Sequence, residues 1–279
     1  MNQIKLFVCC HKEEQVPAQP LLVPIQVGAA LSDKHFENFL HDDKGENISA
    51  KNRSYCELTA LFWMWKNVQA DYYGLFHYRR YLYPDTKAHL PYRICAAATD
   101  KQLDALGFGR FESLIPEYDI IMPLAEDMHV SVREHYANAP HHHGRDLKLA
   151  ESIVLEQHPE MEQALEAYFS GTRCYFGNIC IMSKAVFNDY CAWLFPILEE
   201  FDRRVDTSSY GVQEKRVDGY LAERLLGLYY THHHTQLETH ELPRVHFVND
   251  REERLKLQLQ NILLPPGSKI RALAKKVRK

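Results

Sequence analysis

Asp71-Tyr-Tyr-Gly-Leu-Phe-His-Tyr-Arg-Arg-Tyr81 is the stretch that decides the fold. Tyr72 to Phe76 is a short apolar run of the kind that forms a buried strand, and it discharges into His77, Tyr78, Arg79, Arg80 and Tyr81. In an open α/β sheet, ligands bind outside the carboxyl ends of the strands. Two adjacent arginines at such an end need a partner, because a buried guanidinium without one is costly. The planar cation matches phosphate oxygens two at a time, which predicts a site for a phosphorylated donor. Structural carboxylates holding the pair are the competing reading.

Strands and helices alternate along the rest of the chain, so the class is α/β. Ile4 to Cys10 reads as the first strand, ending at His11 and Lys12, and Pro24 to Ala30 as a short strand and turn. Asp42 to Ser49 is polar and turn-rich, hence a loop. Ser54 to Asn67 reads as a nearly all-apolar, buried helix opened by a capping box between Ser54 and Glu57. Tyr118 to Pro123 is a further strand, and His129 to Arg145 a His-rich loop followed by two helices, with Pro159 and Gly171 at the ends of the second. Tyr175 to Met182 reads as a strand, Ser183 as the cap of a helix to about Arg204 containing Pro196, Glu214 to Tyr230 as a helix, and Leu242 to Val248 as a last strand. The expected domain covers residues 1–264, with a basic tail at 265–279.

Composition narrows the function. The hydrophobic fraction is 46% and the charged fraction 25%, ordinary for a globular chain. Lys269, Arg271, Lys275, Lys276, Arg278 and Lys279 occur together without an acid; taking those six charges from a net of −4 leaves −10 on the rest. An acidic body argues against nucleic acid as a partner. No apolar run approaches a membrane span, and no signal peptide is evident. The seven cysteines form neither CxxC pairs nor a disulfide framework, which predicts a reducing cytoplasm.

Several segments together resemble one family. They are His11-Lys12, Pro24-Ile-Gln-Val-Gly-Ala29, Asp42-Asp43 through Gly45, Asn47-Ile-Ser49, Lys51-Asn52, Tyr55 to Ala60, Trp65-Lys-Asn67, Gly74-Leu75 and His77-Tyr-Arg-Arg-Tyr81, then His135-Tyr-Ala-Asn138, Tyr190-Cys191, Trp193-Leu-Phe195 and Tyr220 through Leu225. Their order and spacing are similar to the DUF4422 glycosyltransferases of bacterial capsule, exopolysaccharide and O-antigen clusters, over most of residues 4 to 247. The resemblance implies a GT-A-like domain with a mixed central sheet. It also implies transfer of a sugar, galactofuranose or galactose, from a UDP-linked nucleotide-sugar to a lipid-linked oligosaccharide.

Carried over residue by residue, the resemblance makes His11, Lys12, Gln26, Asp42, Asp43, Asn47, Ser49, Asn52, Glu57, His77, Tyr78, Arg79 and Arg80 candidates for donor binding. His135 and Tyr136 become candidates for the acceptor. GT-A enzymes commonly hold Mg or Mn on an Asp-x-Asp motif, but the corresponding place here reads His77-Tyr-Arg79. That departure puts a divalent metal in doubt and leaves the arginines to neutralise the leaving diphosphate. An inverting transferase needs a general base; Glu223 is the first candidate, Asp146 the second and Asp218 a weaker third. The triplets His141-His-His143 and His232-His-His234 lack metal-ligand spacing, and consecutive extended side chains point to opposite faces.

Two other functions stay open on the sequence. One is a metal-dependent hydrolase using the His-rich loops, the other an inactive glycan-binding or scaffold protein. In the basic tail, Ile270, Leu273, Ala274 and Val277 fall on one helical stripe. This predicts peripheral attachment to an anionic membrane surface at the inner face of the cell membrane.

Overall fold

Alternation along the first strand sets the layers. In the computed structural model, which describes residues 2–277 and the side chains of residues 2–274, Phe7 and Cys9 enter one apolar cluster while Leu6, Val8 and Cys10 enter another on the opposite face. A period of two buried on both faces is what a central strand requires. The strands are β1 (Ile4–Cys10), β2 (Leu22–Gln26), β3 (Leu40–His41), β4 (Tyr72–His77), β5 (Arg80–Leu82), β6 (Tyr92–Cys95), β7 (Ile120–Pro123), β8 (Glu126–Asp127), β9 (Arg173–Cys174), β10 (Cys180–Ser183), β11 (Thr239–Leu242) and β12 (Arg244–Phe247). The helices are α1 (Asn52–Tyr55), α2 (Leu58–Asn67), α3 (Asp100–Ala105), α4 (Phe111–Leu114), α5 (Val132–Asn138), α6 (Gly144–Gln157), α7 (Glu162–Ser170), α8 (Lys184–Arg204), α9 (Val217–His233), α10 (Arg251–Leu263) and α11 (Lys269–Val277).

The fold is α/β with a mixed central sheet. Its strand order is β11-β7-β10-β4-β1-β2-β3, and β5, β12 and β6 continue from β4 as a branch. β1 runs parallel to β2 and β4, whereas β10 is antiparallel to both β4 and β7. One cluster takes Tyr73 and Leu75 from β4 and packs them against α2, α8 and α9. The other takes Phe76 and packs it with Tyr81, Phe108 and Phe111. Tyr73 stacks on Phe187 of α8 at 4.2 Å.

Several local expectations change. The helix expected over Ser54 to Asn67 is broken at Cys56, whose φ of 51° and ψ of −127° no helical residue adopts. The capping box does not form: the Ser54 hydroxyl donates to Asp218, and Glu57 accepts from Asn178 at 2.7 Å. Buried Asp218 draws the serine away because a buried carboxylate needs donors. The His-rich loop contains helix α5, capped by Ser131 accepting from the Glu134 amide at 3.0 Å. The strand expected from Tyr175 is interrupted at Gly177 and Asn178, both at positive φ. Ser183 stands at the start of α8 without a side-chain cap bond, and Pro196 lies inside that helix. Pro243 falls between β11 and β12, so the last expected strand is two short ones.

Asp218 also carries a pH dependence. Burial, and then the charge of Asp202, pushes its carboxyl from 3.8 up to about 7. The folded state therefore keeps the proton after the unfolded chain has released it. Stability should fall as pH rises from 3.8 to about 7 and stay level above that. Asp218→Asn, which still offers Ser54 an acceptor, should flatten that slope and add roughly 2 kcal/mol at pH 8. Urea melts at pH 5 and pH 8 check it; an unchanged slope in the variant would assign the dependence to another group.

Candidate active site

The stripe that faces α2 and α9 does not stop at the strand ends. Continuing the period of two, Phe7 and Cys9 lead to His11, and Tyr73 and Leu75 lead to His77. The two imidazoles come together with centroids 6.1 Å apart. Arg80 is the direct cross-strand partner of His77 and of His246, so all three side chains share that face. A cleft of about 440 Å³ opens here. Cys9, His11, Val27 and His77 line it from the strand ends, Asn52, Arg53, Cys56 and Glu57 from the α1–α2 corner, and Val212, Lys215 and Arg216 from the approach to α9.

The corner is held under strain. Cys56 occupies a backbone conformation that favours glycine. Asn52 braces it by donating to the Cys56 carbonyl at 2.7 Å, and Arg216 Nε donates to its Sγ at 3.2 Å. Gly219 lets α9 close on the corner, since a Cβ there would lie 3.1 Å from that sulfur. Burial pushes the Cys56 thiol up to about 12, so it stays protonated and is no nucleophile.

The strained corner delivers Glu57 to the cleft. Asn178, itself at φ 50°, donates from one amide group to Glu57 at 2.7 Å and to the Gly219 carbonyl at 3.0 Å. Two non-glycine residues at positive φ thus converge on one carboxylate. Burial pushes the Glu57 carboxyl above its ordinary value, the Asn178 hydrogen bond opposes this, and the charge of Glu223 adds to it. Around it the field is positive. Burial first, then Arg80, His11, Arg216 and Arg79, lower His77 to about 3, which keeps it neutral.

The sequence candidates separate into two groups. His11, Asn52, Glu57 and His77 line the cleft. Tyr78 is the ring on which the neighbouring cations rest, with Lys12 at 5.6 Å and Arg79 at 5.1 Å. Arg79 and Arg80 are exposed, not buried between carboxylates. The remaining donor candidates build the frame. Asp42 is fully buried and accepts from the amides of Gly28 and Ala29 and the hydroxyls of Ser49 and Thr59. Gln26 spans the Lys34 carbonyl and the Phe36 amide. Asn47 ties the Asp43 and Gly45 carbonyls, and Asp43 pairs with His35 at 3.2 Å.

On the acceptor side, Tyr136 is buried on α5 with its ring edge-on to His142 at 4.6 Å, while His135 lies beside Phe176. His142 stacks on Tyr220 at 4.1 Å, and Arg216 covers the same tyrosine at 5.7 Å, so the His-rich segment reaches the rim of the cleft. Glu223 receives Arg224 at 3.3 Å. Asp146 does not line the cleft. It is buried under Tyr210, whose hydroxyl donates to both its oxygens at 2.8 and 3.0 Å. It anchors the segment that carries Val212 to the rim. Sequence reasoning missed Arg216, Asn178, Cys56 and Tyr220 as members of the site.

A divalent ion needs several hard ligands converging on one point. Among the described residues no three His, Cys, Asp or Glu side chains do so.

Among curated proteins nothing matches the chain. A solved structure, the WbbM bifunctional glycosyltransferase in its apo form, is similar at a TM-score of 0.84 and 30% identity, over 89% of this chain and 46% of that one. The chain thus spans about half the length of that protein. The family model described as "Domain of unknown function (DUF4422)" matches residues 5–234. With that much of its length matched, the chain belongs to the DUF4422 family.

Proposed function

We propose that this protein is a glycosyltransferase. It moves a sugar from a nucleotide-sugar, UDP-linked and carrying galactofuranose or galactose, to a glycan acceptor in bacterial surface polysaccharide synthesis. One observation carries the reading: a partly buried carboxylate, Glu57, shares a cleft with Arg53, Lys215 and Arg216 at the carboxyl ends of β1 and β4. The likeness to a solved glycosyltransferase supports it.

The chemistry fits these groups. The bond between the anomeric carbon and the donor phosphate oxygen breaks, and the diphosphate leaves with its electron pair. Arg216, Arg79 and Arg80 meet that developing charge in place of a metal. The acceptor hydroxyl forms the new bond and gives its proton to Glu57, whose raised pKa makes it a stronger base than an ordinary carboxylate; the charge of Glu223 helps to raise it. The stacked Tyr220 and His142 offer a face for the acceptor sugar. A lipid-linked acceptor would place the work on the cytoplasmic face of the membrane, with the basic segment 268–279 against anionic lipid. No helix among the described residues is long and apolar enough to cross a membrane.

A panel of nucleotide-sugars tests the reading by calorimetry and by release of free nucleotide. One nucleotide should bind and its sugar be released or transferred. Binding to none at millimolar concentration would favour a scaffold, and hydrolysis of unrelated esters that chelators abolish would favour a metal hydrolase. Arg79→Ala, Arg80→Ala and Arg216→Ala should each weaken nucleotide binding by roughly 1.5–3 kcal/mol. Unchanged affinity in all three, with the fold intact, would remove the diphosphate from this end of the sheet.

A further inference from the structure

Helix α10 wears its polarity inside out. Arg254, Gln258 and Asn261 recur at i, i+4 and i+7, and this polar stripe faces the protein. Arg254 donates to the Val248 carbonyl at 2.9 Å, Gln258 to the Ile94 carbonyl at 3.0 Å, and Asn261 accepts from the Tyr92 hydroxyl at 3.4 Å. Leu255, Leu259 and Ile262 have the same spacing one position on, and each is more than half exposed, as is Leu263. A surface helix on a water-soluble body does the reverse.

Helix α11 continues the pattern. Arg271 turns back to Asn261 at 2.9 Å and to the Leu264 carbonyl at 3.2 Å, while Ile270 and Leu273 stay more than half exposed. His129 holds the elbow between the helices through the Gly267 carbonyl at 2.8 Å. Six of the ten large apolar residues exposed among the described ones lie on these two helices. Such a concentration marks a covered surface, not scatter.

Charge identifies the cover. Residues 269–279 carry six basic side chains and no acid, although Arg278 and Lys279 lie outside the described residues, as do the side chains of Lys275, Lys276 and Val277. The acids of α10, Glu252 and Glu253, stand in its first turn, away from the elbow. A second copy of the chain would bring like charge to like charge, whereas a sheet of lipid phosphates is complementary. No described helix is long and apolar enough to span a bilayer, so helices docked on one would lie along its surface.

The geometry points to α10 and α11 together as a docking surface for an anionic bilayer, with the outward leucines and isoleucines entering the headgroup boundary and the net positive charge of residues 269–279 drawing the two helices to it. This deepens the peripheral attachment proposed above and rests on it; α10 is the added part.

Vesicle co-sedimentation of the full chain tests it without reference to catalysis. Neutral phosphatidylcholine vesicles are compared with vesicles containing phosphatidylglycerol, at low and high salt. The full chain should bind the anionic vesicles, and more weakly at high salt. Leu255→Gln, Leu259→Gln and Ile262→Gln combined should lower that binding at least about tenfold, with unchanged circular dichroism. Deleting residues 268–279 should lower it as well. If only the deletion matters, the basic segment attaches alone and the role of α10 is overturned. If the full chain ignores the vesicles, both attachment readings fall. If it sediments as a dimer that the triple variant dissociates, the face belongs to a second copy and the proposal fails.

Discussion

Glu57→Gln should lower sugar transfer by about 10²–10⁴-fold while leaving nucleotide affinity within about twofold. Glutamine keeps the shape and can still accept from Asn178, so the corner at Cys56 should survive and the lost group is the base alone. The same carboxylate predicts the pH profile. Glu57 accepts a proton only when ionised, and burial holds its pKa above the usual 4.5. The rate should therefore fall as pH drops through that raised value, and the acidic limb should vanish in the variant. Glu223→Gln removes the neighbouring charge that helps raise Glu57, so it should shift that limb to lower pH. Single-turnover rates from pH 4.5 to 8 measure both. Normal turnover in Glu57→Gln would show that the proton goes elsewhere, and the cleft would then serve binding only.

Much of the architecture was legible because it follows from local pattern. The run Ile4 to Cys10 is a strand from end to end, and Tyr72 to Phe76 needed one more residue, His77. The interior of α2 followed from its apolar spacing. Ser54 and Glu57 show where that reasoning ends. The S-x-x-E spacing is the same whether the two side chains cap a helix or turn to Asp218 and Asn178, which lie 164 and 121 residues away. Tertiary demand from a buried carboxylate decided between them. The break before β10 had a visible cue, since Gly177-Asn178 is a turn signal inside an otherwise strand-like run. The site was half legible. His11 and His77 project from strand ends, where a strand-based reading looks first. Arg216 sits in Gln213-Glu-Lys-Arg216, which by itself reads as a solvated charge run. Only the approach of α9, made close by Gly219, brings it to Cys56 across 160 residues. Helix α10 escaped the sequence reading because Leu255, Leu257 and Leu259 alternate with polar residues, a period of two that does not mark an amphipathic helix.

Asp42→Ala should destabilise the fold by roughly 3–4 kcal/mol. The reason is the number of donors that one carboxylate serves. Its Oδ2 accepts from the Gly28 amide at 2.8 Å and from the Thr59 hydroxyl at 2.6 Å; its Oδ1 accepts from the Ala29 amide at 2.9 Å and from the Ser49 hydroxyl at 2.5 Å. These four occupy about the whole acceptor capacity of an ionised carboxyl. Gly28 follows β2 at φ 67°, Ser49 begins the turn before α1, and Thr59 belongs to α2. The residue thus ties three segments that frame the cleft, and alanine would leave the Gly28 and Ala29 amides and the Ser49 hydroxyl hydrogen without their acceptor, while the Thr59 hydroxyl would keep only the Cys56 carbonyl at 3.1 Å. Asparagine would keep the volume but turn its amide hydrogens toward donors, so Asp42→Asn should also lose stability. Urea denaturation with nucleotide absent isolates the effect from binding. A loss below about 1 kcal/mol, together with lost nucleotide affinity, would sink this account and return Asp42 to the donor. A large loss of stability, with near-normal affinity at low temperature where the variant is still folded, would confirm that the acid shared by four donors builds the cleft without touching what it holds.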